Sequence, residues 1–592
     1  MRRRTFLAAL PAAAIGGPAL AQSQLFSGAN PNLKRPDVHS GDRVAGASFA
    51  SRSAAWGING AAATAHPLAT QAAIDMLRKG GSAADAAIAA NAVLGLVEPI
   101  ACGIGGDCYV MLWDPKARHV MGLNGSGRSP KGLSLETVRA RSKDGKIPSW
   151  GAVTVSVPGA VDAWREMHER YGKLKWSELF APAIEHAEQG HPITQNVAFY
   201  LAGSYRRFTN PASGIEEVEN FKAVWAPNGK TPVEGEIFKN PRLGRTYRLI
   251  AEGGGRAFYE GEIAATIEAY FKRIGGWMTK ADLAANRAVW TKVHKTGYRG
   301  VEVCALGDNT QGLATLQLLN ILERFDVKAM GFQSAQAIHH AVEAKRLAYE
   351  DRARFYADQD FYKSPIDWLI SKDYAAERAK LIRSDKILTP IYPGQAPSKG
   401  DTTYFTTADK DGMMVSIIQS NYRGMGSGLS PDGLGFMFQD RGELFALTDG
   451  HPNIYTPGKR PFQTIIPGFA LREGQPWLSF GVMGGDMQPQ GHVQVLVNLL
   501  DFGQNVQSAG DAARVRHSGS ADPTGTPAAG GGTVYVESGI SDEIVQALRG
   551  KGHQVLRARD GYGGYQGIWI DWEQGVLHGA SEVRKDGAAV GY

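Results

Sequence analysis

The sequence Lys399-Gly400-Asp401-Thr402-Thr403-Tyr404-Phe405 joins a proline- and glycine-rich stretch to a run of β-forming residues. Residues 390–401 contain three prolines and two glycines, a composition that excludes a helix or a central strand and predicts a linker. Residues 403–408 and 413–420 are predicted strands, joined by the hairpin turn Asp409-Lys410-Asp411-Gly412. The sequence therefore places a threonine at the start of a strand, directly behind an exposed linker.

Thr402 can act as a nucleophile only with the help of a base. A threonine hydroxyl is a weak nucleophile, and one way to activate it uses the α-amine of the same residue as the base. That amine is free only after the peptide bond between Asp401 and Thr402 has been cut. Because threonine begins many strands, the junction indicates this chemistry only together with support from the rest of the chain.

The composition is that of a folded protein with a large core or several packed layers. The chain has 592 residues, 43% hydrophobic and 21% charged, which excludes a disordered chain, a fibre and a protein with many membrane spans. The formal charge is +6, and three of the positive charges are Arg2, Arg3 and Arg4, so the remainder does not indicate a nucleic-acid partner. Three cysteines permit one disulfide at most and have no zinc-site spacing. We expect neither a metal nor another cofactor.

Residues 1–21 have the features of an export signal. A basic start precedes an apolar run, and Ala19-Leu20-Ala21 forms a cleavage site of the A-x-A kind. Arg3-Arg4 followed by Thr5-Phe6-Leu7 resembles the twin-arginine signal of bacteria. The alternative is an uncleaved anchor helix, which the short and interrupted apolar run disfavours. We therefore predict twin-arginine export and a periplasmic or secreted protein that is not held at the membrane after the signal is removed.

The predicted elements on the two sides of the linker are of the same kinds. Helical periodicity marks residues 69–80, 86–97, 177–188, 334–358 and 541–550, and β-rich runs mark 108–113, 480–483 and 532–536. The run 86–97 is apolar on most faces, so we expect it to be buried. Helices and strands on both sides of the linker predict one α/β body rather than two independent domains.

Two further motifs carry weaker signals. Gly103-Ile104-Gly105-Gly106 lies between a helix and a strand, the reverse of the order in a dinucleotide-binding loop, so we interpret it as a tight turn. His339, His340 and Glu343 have metal-binding side chains but lack the H-E-x-x-H spacing that places two histidines on one helical face. We predict an ordinary solvated helix face there.

Short motifs along the whole chain have the order found in one enzyme family. They are Thr64-Ala65-His66-Pro67-Leu68-Ala69-Thr70, Gly80-Gly81-Ser82-Ala83-Ala84-Asp85-Ala86-Ala87, Val157-Pro158-Gly159, Ala257-Phe258-Tyr259-Glu260-Gly261, Asp282-Leu283, Thr402-Thr403-Tyr404, Asp409-Lys410-Asp411-Gly412, Gly426-Ser427-Gly428, Pro457-Gly458-Lys459-Arg460-Pro461 and Gly484-Gly485. In these motifs the chain resembles the γ-glutamyltransferase family of N-terminal-nucleophile hydrolases, and the resemblance covers residues 60–590.

The resemblance implies a four-layer αββα sandwich, made as a proenzyme that cuts itself between Asp401 and Thr402. The products would be a large subunit of residues 22–401 and a small subunit of residues 402–592, which remain partners. Thr402 would then attack a substrate amide to give a threonyl acyl-enzyme, and water or an amine would accept the acyl group.

The resemblance also implies the groups that assist Thr402. The backbone N–H groups of Gly484 and Gly485 would hold the oxyanion, because backbone donors need no reorganisation as the charge develops. Ser420 lies at the position of a threonine that bonds the nucleophile in the family, and a serine hydroxyl can form the same bond.

The resemblance further indicates which residues surround the acyl group of a substrate. Seven residues at or beside the family's binding positions are candidates: Arg128, Asn421, Tyr422, Arg441, Glu443, Gln463 and Thr464. The family's carboxylate-binding arginine falls at Ser126, with Arg128 nearest, and its serine pair falls at Gln463-Thr464. An alternative is that Arg128 and Arg441 are structural ion-pair partners.

The positions that bind an α-amine in glutathione-cleaving members are also altered. The family's asparagine falls at Tyr422, its glutamine at Arg441 and its aspartate at Leu444. Only a shift of one residue would place Asn421 and Glu443 at the first and third positions. Desolvating an ammonium group that has no acceptor is costly, whereas arginine suits a carboxylate. The altered positions therefore disfavour an α-amino substrate and favour a plain carboxylate on the acyl side.

Three functions stay open. The first is an autoprocessing γ-glutamyl hydrolase or transferase that cleaves γ-glutamyl amides such as glutathione. The second is an amidohydrolase with the same fold and nucleophile but a different acyl group, similar to cephalosporin acylases and oxamate amidohydrolases. The third is a catalytically silent binding protein of this fold, which the intact Thr402, Gly484 and Gly485 disfavour.

Overall fold

Two antiparallel sheets of seven strands each form the centre of the protein. The structure is a computed structural model that describes residues 52–388, 401–528 and 530–592. The predicted signal and residues 390–400 of the predicted linker lie outside the described residues. Asp401, which the composition assigned to the linker, instead begins a strand that continues into the small-subunit sequence.

The first sheet contains Thr402. In spatial order its strands are β19 (Ala588–Gly591), β2 (Gly60–Thr64), β10 (Asp401–Asp409), β11 (Met414–Tyr422), β3 (Asp107–Asp114), β4 (His119–Gly125) and β7 (Val289–Thr291). The strand after the linker thus lies between strands from both sides of it. This pairing supports the prediction of one α/β body.

The second sheet contains the strand that leads to Gly484. In spatial order its strands are β1 (Ala55–Gly57), β18 (Val576–Ser581), β17 (Tyr565–Asp571), β13 (Gln475–Val482), β12 (Gly468–Arg472), β9 (Val301–Leu306) and β8 (Val293–Tyr298). Two smaller sheets consist of β14 (Val515–Ser518), β15 (Thr533–Val536) and β16 (Gln554–Arg557), and of β5 (His191–Pro192) and β6 (Ile237–Phe238).

Helices pack on both central sheets and complete the four layers, and the described residues contain nineteen α-helices. In chain order they are α1 (Pro67–Arg78), α2 (Ala83–Val97), α3 (Leu135–Arg141), α4 (Ala160–Tyr171), α5 (Ala181–Gln189), α6 (Gln195–Phe208), α7 (Glu219–Trp225), α8 (Pro241–Gly253), α9 (Ala257–Glu260), α10 (Glu262–Ile274), α11 (Lys280–Ala285), α12 (Gly312–Leu322), α13 (Val327–Met330), α14 (Ala335–Phe355), α15 (Ile366–Leu369), α16 (Lys372–Ala379), α17 (Met487–Leu500), α18 (Val506–Asp511) and α19 (Asp542–Gly550). Helices α1 and α2 pack on the first sheet, and α12 and α17 pack on the second. The predicted αββα sandwich is confirmed.

Helix α2 shows how local sequence positions a core element. The Ser82 side chain accepts the N–H of Asp85, and the Asp85 carboxylate accepts the N–H of Ser82, so a capping box fixes the start of the helix. Every residue of α2 is buried, and the helix packs on β10 and β11. The prediction of a buried helix at residues 86–97 is confirmed.

The β10–β11 hairpin forms as the sequence predicts. Its turn closes with a bond from the Asp409 N–H to the Met413 carbonyl of 3.0 Å, and Gly412 supplies the positive φ of 84° that the turn requires. The motif at Gly103–Gly106 is also a tight turn, because the N–H of Gly106 bonds the carbonyl of Gly103 at 2.9 Å.

Helix α14 departs from its prediction. The charge-rich sequence indicated a solvated face, but His339, His340 and Glu343 are buried. The helix packs against α12 on one side, and Ile338 and Val342 pack against the three-stranded sheet on another. Its polar side chains therefore find partners inside the protein instead of in water.

Candidate active site

Thr402 lies on β10 at an irregularity between two paired positions. Asp401 pairs with Tyr422 and Thr403 with Gln419, which leaves Thr402 at a β-bulge in the hairpin. Bulges re-aim a side chain locally and are common beside active sites. The Thr402 hydroxyl is buried and donates to the Ser420 Oγ at 3.3 Å.

The Ser420 hydroxyl connects Thr402 to the end of β11. Its Oγ also accepts the backbone N–H of Tyr422 at 2.8 Å. Tyr422 has a φ of 76°, a conformation that is rare for a bulky side chain and that is typically held only where the surroundings enforce it. The hairpin thus brings Thr402, Ser420 and the backbone of Tyr422 together.

The two central sheets bring Thr402 towards the Gly484–Gly485 loop. Thr406 on β10 is hydrogen-bonded to Ser479 on β13, and the ring of Tyr404 covers Gly481, where a Cβ atom would overlap it. Strands β10 and β13 therefore face each other across the sandwich and run in opposite directions. Extended by two residues, the same alignment leads to Thr402 on β10 and to Met483, which follows β13 and precedes Gly484.

Gly484 and Gly485 form a turn with backbone N–H groups available to a ligand. Their φ values are 107° and 57°, which favour glycine. Their carbonyls accept the N–H groups of Met487 and Gln488 in the first turn of α17, at 3.0 and 3.1 Å. Within the described residues, neither glycine N–H donates to a backbone carbonyl. Two such donors are the arrangement that stabilises an oxyanion.

Arg441 is a buried cation with incomplete hydrogen bonding. Its Nη1 donates to the Thr464 Oγ1 at 2.7 Å, and its guanidinium lies 4.7 Å from the ring centroid of Tyr422. Its Nε and Nη2 have no hydrogen-bond partner, and it forms no ion pair with a described carboxylate. A buried guanidinium with two vacant donors is costly unless an acceptor arrives.

Asp107 lies close to Arg441 and was missed by the sequence interpretation. Its carboxylate accepts the Gly127 N–H at 3.0 Å and the Gln463 Nε2 at 2.6 Å. Burial raises the pKa of Asp107 to about 6, while the Gly127 N–H and the charge of Arg441 oppose the rise. The available signal was an acidic residue at the start of an otherwise apolar strand.

Arg128 is held in ion pairs with two aspartates. Its guanidinium bonds Asp358 at 3.4 Å and Asp360 at 2.5 Å, and it donates to the Gly458 carbonyl at 3.0 Å. Ser126, at the family's arginine position, is buried in a polar cluster in which its hydroxyl donates to the Asn124 side chain at 2.7 Å. These contacts match the structural alternative for Arg128.

Asn421 and Glu443, the two candidate acceptors for an amine, differ in their hydrogen bonding. The Asn421 side chain lies against Gly106, where it would overlap an added Cβ atom, and its buried Oδ1 has no hydrogen-bond partner. The Glu443 carboxylate accepts two bonds of 2.5 Å from Arg423 and one of 3.0 Å from Ser149. Glu443 is therefore occupied, whereas the Asn421 Oδ1 is a vacant acceptor on the residue next to Ser420.

A pocket of about 590 Å³ opens beside these residues. Its lining includes Tyr422, Glu443, Leu444, Lys146 and Asp522, and its surface is mostly polar. Because Tyr422 pairs with Asp401 in the hairpin, the pocket borders the residue that precedes Thr402. A substrate that reaches Thr402 from this side would pass Leu444 and the Arg423–Glu443 pair.

One group of side chains has the composition of a metal site. Ligand atoms of His339, Glu343 and His553 lie within 4.8 Å of one another. However, the His339 Nδ1 and the His553 Nε2 are 2.8 Å apart and hydrogen-bonded, and Glu343 is paired with Arg346 at 2.6 Å. A guanidinium at that distance would repel a metal cation, so we interpret the group as a hydrogen-bonded network.

The four-layer fold, with Thr402 on a central strand of one sheet and a glycine pair after a central strand of the other, defines the class of protein, which is an N-terminal-nucleophile hydrolase. The chain belongs to the γ-glutamyltranspeptidase family, because the family model described as Gamma-glutamyltranspeptidase matches residues 69–592. Among the described residues, the structure contains no helix with the length and apolarity needed to cross a membrane.

The chain is similar to bacterial proteins that are named for different amide substrates. It is 33% identical to the glutathione hydrolase-like YwrD proenzyme of Bacillus subtilis, over 89% of this chain and 97% of that protein. It is 31% identical to the oxamate amidohydrolase proenzyme of Klebsiella pneumoniae, over 90% of this chain and 98% of that protein. The crystal structure of a cephalosporin acylase from Bacillus halodurans superposes with a TM-score of 0.84 at 40% identity, covering 91% of this chain and 97% of that chain.

Proposed function

We propose that the protein cleaves its own chain between Asp401 and Thr402 and then hydrolyses amides through Thr402. In the precursor, the Thr402 Oγ1 would attack the Asp401 carbonyl carbon while the C–N bond breaks, which gives an ester and a free α-amine. Water would then hydrolyse the ester. The products are the large subunit, residues 22–401 after signal removal, and the small subunit, residues 402–592.

The new α-amine of Thr402 supplies the base for substrate cleavage. It would take the hydroxyl proton as the Oγ1 attacks the substrate carbonyl, and it would return that proton to the leaving amine. The N–H groups of Gly484 and Gly485 would stabilise the oxyanion, and the Ser420 Oγ would orient the nucleophile at the 3.3 Å contact. Water, or an acceptor amine, would then release the acyl group.

The acyl group is proposed to carry a carboxylate and no α-amine. The observation that carries this proposal is the buried Arg441, whose Nε and Nη2 are vacant while its Nη1 is held by Thr464. A carboxylate would fill both donors, since the arginine fork matches its two oxygens. An ammonium group would instead meet the guanidinium, and the neighbouring Glu443 is already paired with Arg423.

A γ-glutamyl hydrolase or transferase is the second candidate. It is favoured by relatives named glutathione hydrolase, including one from Escherichia coli that is 30% identical over 90% of this chain. In that case the amine of the glutamyl group would need Asn421 and Glu443 as acceptors, and Glu443 would have to leave Arg423. The two candidates share every step at Thr402 and differ only in what the acyl pocket accepts.

Matched anilides test the proposed acyl group. We expect the wild-type protein to turn over a glutaryl anilide with a kcat/KM at least ten times that for the γ-glutamyl anilide, because a charge-assisted contact contributes about 1.5–3 kcal/mol. Release of the aniline gives both rates with the same leaving group. A tenfold preference for the γ-glutamyl anilide would establish the second candidate instead.

The N-terminal segment supports a proposal about export. Residues 1–21 carry Arg3-Arg4, and we propose that they direct the folded protein through the twin-arginine route. Changing both arginines to lysine should leave the precursor in the cytoplasm, since that route reads the arginine pair. Fractionation followed by immunoblotting measures this, and unchanged export of the double variant would indicate the general secretory route.

A further inference from the structure

The buried Gln311 links the Gly484–Gly485 turn to Thr464. We call this turn the oxyanion turn, and we call the surroundings of Thr464 and Arg441 the acyl pocket. The Gln311 Nε2 donates to the Gly485 carbonyl at 2.9 Å and to the Thr464 carbonyl at 2.6 Å. Gln311 precedes the first residue of α12 and is fully buried. A single amide group therefore fixes the distance between the turn that carries Gly485 and the residue that bonds Arg441.

Arg352 on α14 holds this glutamine in place. Its Nη1 donates to the Gln311 Oε1 at 2.6 Å and to the Asp486 carboxylate at 2.7 Å, and its Nη2 donates to the Asp522 carboxylate at 2.6 Å. Its guanidinium also stacks on the ring of Tyr349 at 3.9 Å. The side-chain amide of Gln311 consequently has a fixed orientation, with its NH₂ group towards the two carbonyls.

The same network holds Asp486, the residue after the glycine pair, from two sides. Arg352 bonds its side chain, and the Tyr349 hydroxyl donates to its backbone carbonyl at 2.6 Å. The peptide group between Gly485 and Asp486 is thus fixed by Gln311 at its carbonyl and by Arg352 and Tyr349 on the following residue. Because glycine has a freely accessible range of φ and ψ, the turn needs such external contacts to keep one conformation.

We propose that Gln311 is a positioning residue for the oxyanion turn and that Arg352 acts through it. The proposal rests on the proposed function, in which the Gly484 and Gly485 N–H groups stabilise the charge that develops after attack by Thr402. Within the described residues, the Gln311 side chain does not bond Thr402; it sets the direction of the glycine donors relative to Thr464 and Arg441. Donors of this kind act mainly in the transition state, so their displacement lowers kcat more than it raises KM.

The chain offers a matched control on the same helix. Gln317 is also buried on α12 and also bridges to α14, through a bond from its Nε2 to Asp351 at 2.8 Å and one accepted from Tyr356 at 2.5 Å. Within the described residues, its side chain bonds neither the Gly484–Gly485 turn nor Thr464. Replacing Gln317 by methionine therefore removes a comparable buried amide without changing the contacts of Gly485.

The experiment compares Gln311→Met with Gln317→Met, since methionine keeps the length of the side chain and removes its hydrogen bonds. We expect Gln311→Met to lower kcat about 100-fold, the effect of losing one oxyanion donor, with KM within threefold of wild type. Gln317→Met should keep both constants within threefold. Rates are expressed per mole of small subunit with Thr402 at its N-terminus, so that incomplete self-cleavage does not lower the measured kcat. The unfolding temperature of both variants is also measured.

The outcomes separate this inference from the function on which it rests. A Gln311→Met enzyme with wild-type kcat, or an equal loss of kcat in Gln317→Met, overturns the positioning role while Thr402-dependent turnover by the wild type stands. Absence of any Thr402-dependent amide hydrolysis by the wild type overturns the proposed function instead. A loss of kcat in Gln311→Met but not in Gln317→Met supports the inference. Equal unfolding temperatures of the two variants show that this loss does not come from lower stability.

Discussion

Replacing Thr402 by alanine should leave the purified protein as one chain and remove its amide hydrolase activity. The proposed self-cleavage needs the Thr402 Oγ1 to attack the Asp401 carbonyl, and alanine has no atom that can replace it. The hydrolysis that follows needs the same hydroxyl and the amine that cleavage exposes. Wild-type protein should instead run as two fragments, with Thr402 at the N-terminus of the smaller one.

The neighbouring residue provides the control for this variant. The Thr403 hydroxyl is also buried in β10 but bonds the Glu98 carboxylate at 2.8 Å and not Ser420. Thr403→Ala should therefore split at the same bond as wild type. Gel electrophoresis and N-terminal sequencing measure both variants. Cleavage of Thr402→Ala between residues 401 and 402 would mean that a separate protease makes the cut.

Much of the fold was accessible from the sequence because local signals specify it. The Ser82 capping box and the apolar run behind it predict a buried helix, and the Asp409–Gly412 turn predicts the hairpin that carries Thr402. Both signals involve residues close together in the chain. The αββα arrangement of these elements was anticipated through the family resemblance and not through the periodicity of any one segment.

Contacts between side chains that are distant in the chain could not be predicted from the sequence. Helix α14 carries many charges, which normally indicates contact with water, yet its Arg352 is fully buried because Asp486 and Asp522 compensate it. These partners follow Arg352 by more than a hundred residues. Asp107 likewise becomes recognisable as a site residue only when the fold brings Gln463 to it.

Arg441 shows why a buried charged group with unpaired hydrogen-bond donors is informative. Most buried polar groups in proteins are hydrogen-bonded, and an unpaired cation costs more than a neutral group. Arg584, also fully buried, meets this requirement with Glu537 and Glu582, each at 2.6 Å. Arg441 has direct contacts only with Thr464 and the ring of Tyr422 among the described residues, and the charge of Asp107 acts on it without an ion pair. The comparison supports an anionic ligand as the missing partner of Arg441.

Replacing Arg441 by glutamine should weaken the proposed preference for an acyl group without an amine. The variant loses the cation that binds a carboxylate and repels an ammonium, and it gains a neutral amide that can accept from one. A contact of this kind contributes about 1.5–3 kcal/mol, so the ratio of kcat/KM for glutaryl over γ-glutamyl anilide should fall roughly 10- to 150-fold. The measurement uses the two anilides with both proteins.

Arg128 supplies the matched arginine for this experiment. It is already paired with Asp358 and Asp360, so Arg128→Gln should change the ratio less than threefold if its role is structural. An Arg441→Gln enzyme with the wild-type ratio, or a larger shift in Arg128→Gln, would move the carboxylate site away from Arg441. The two variants therefore compare Arg128, whose guanidinium is paired with carboxylates of the protein, with Arg441, whose Nε and Nη2 have no partner.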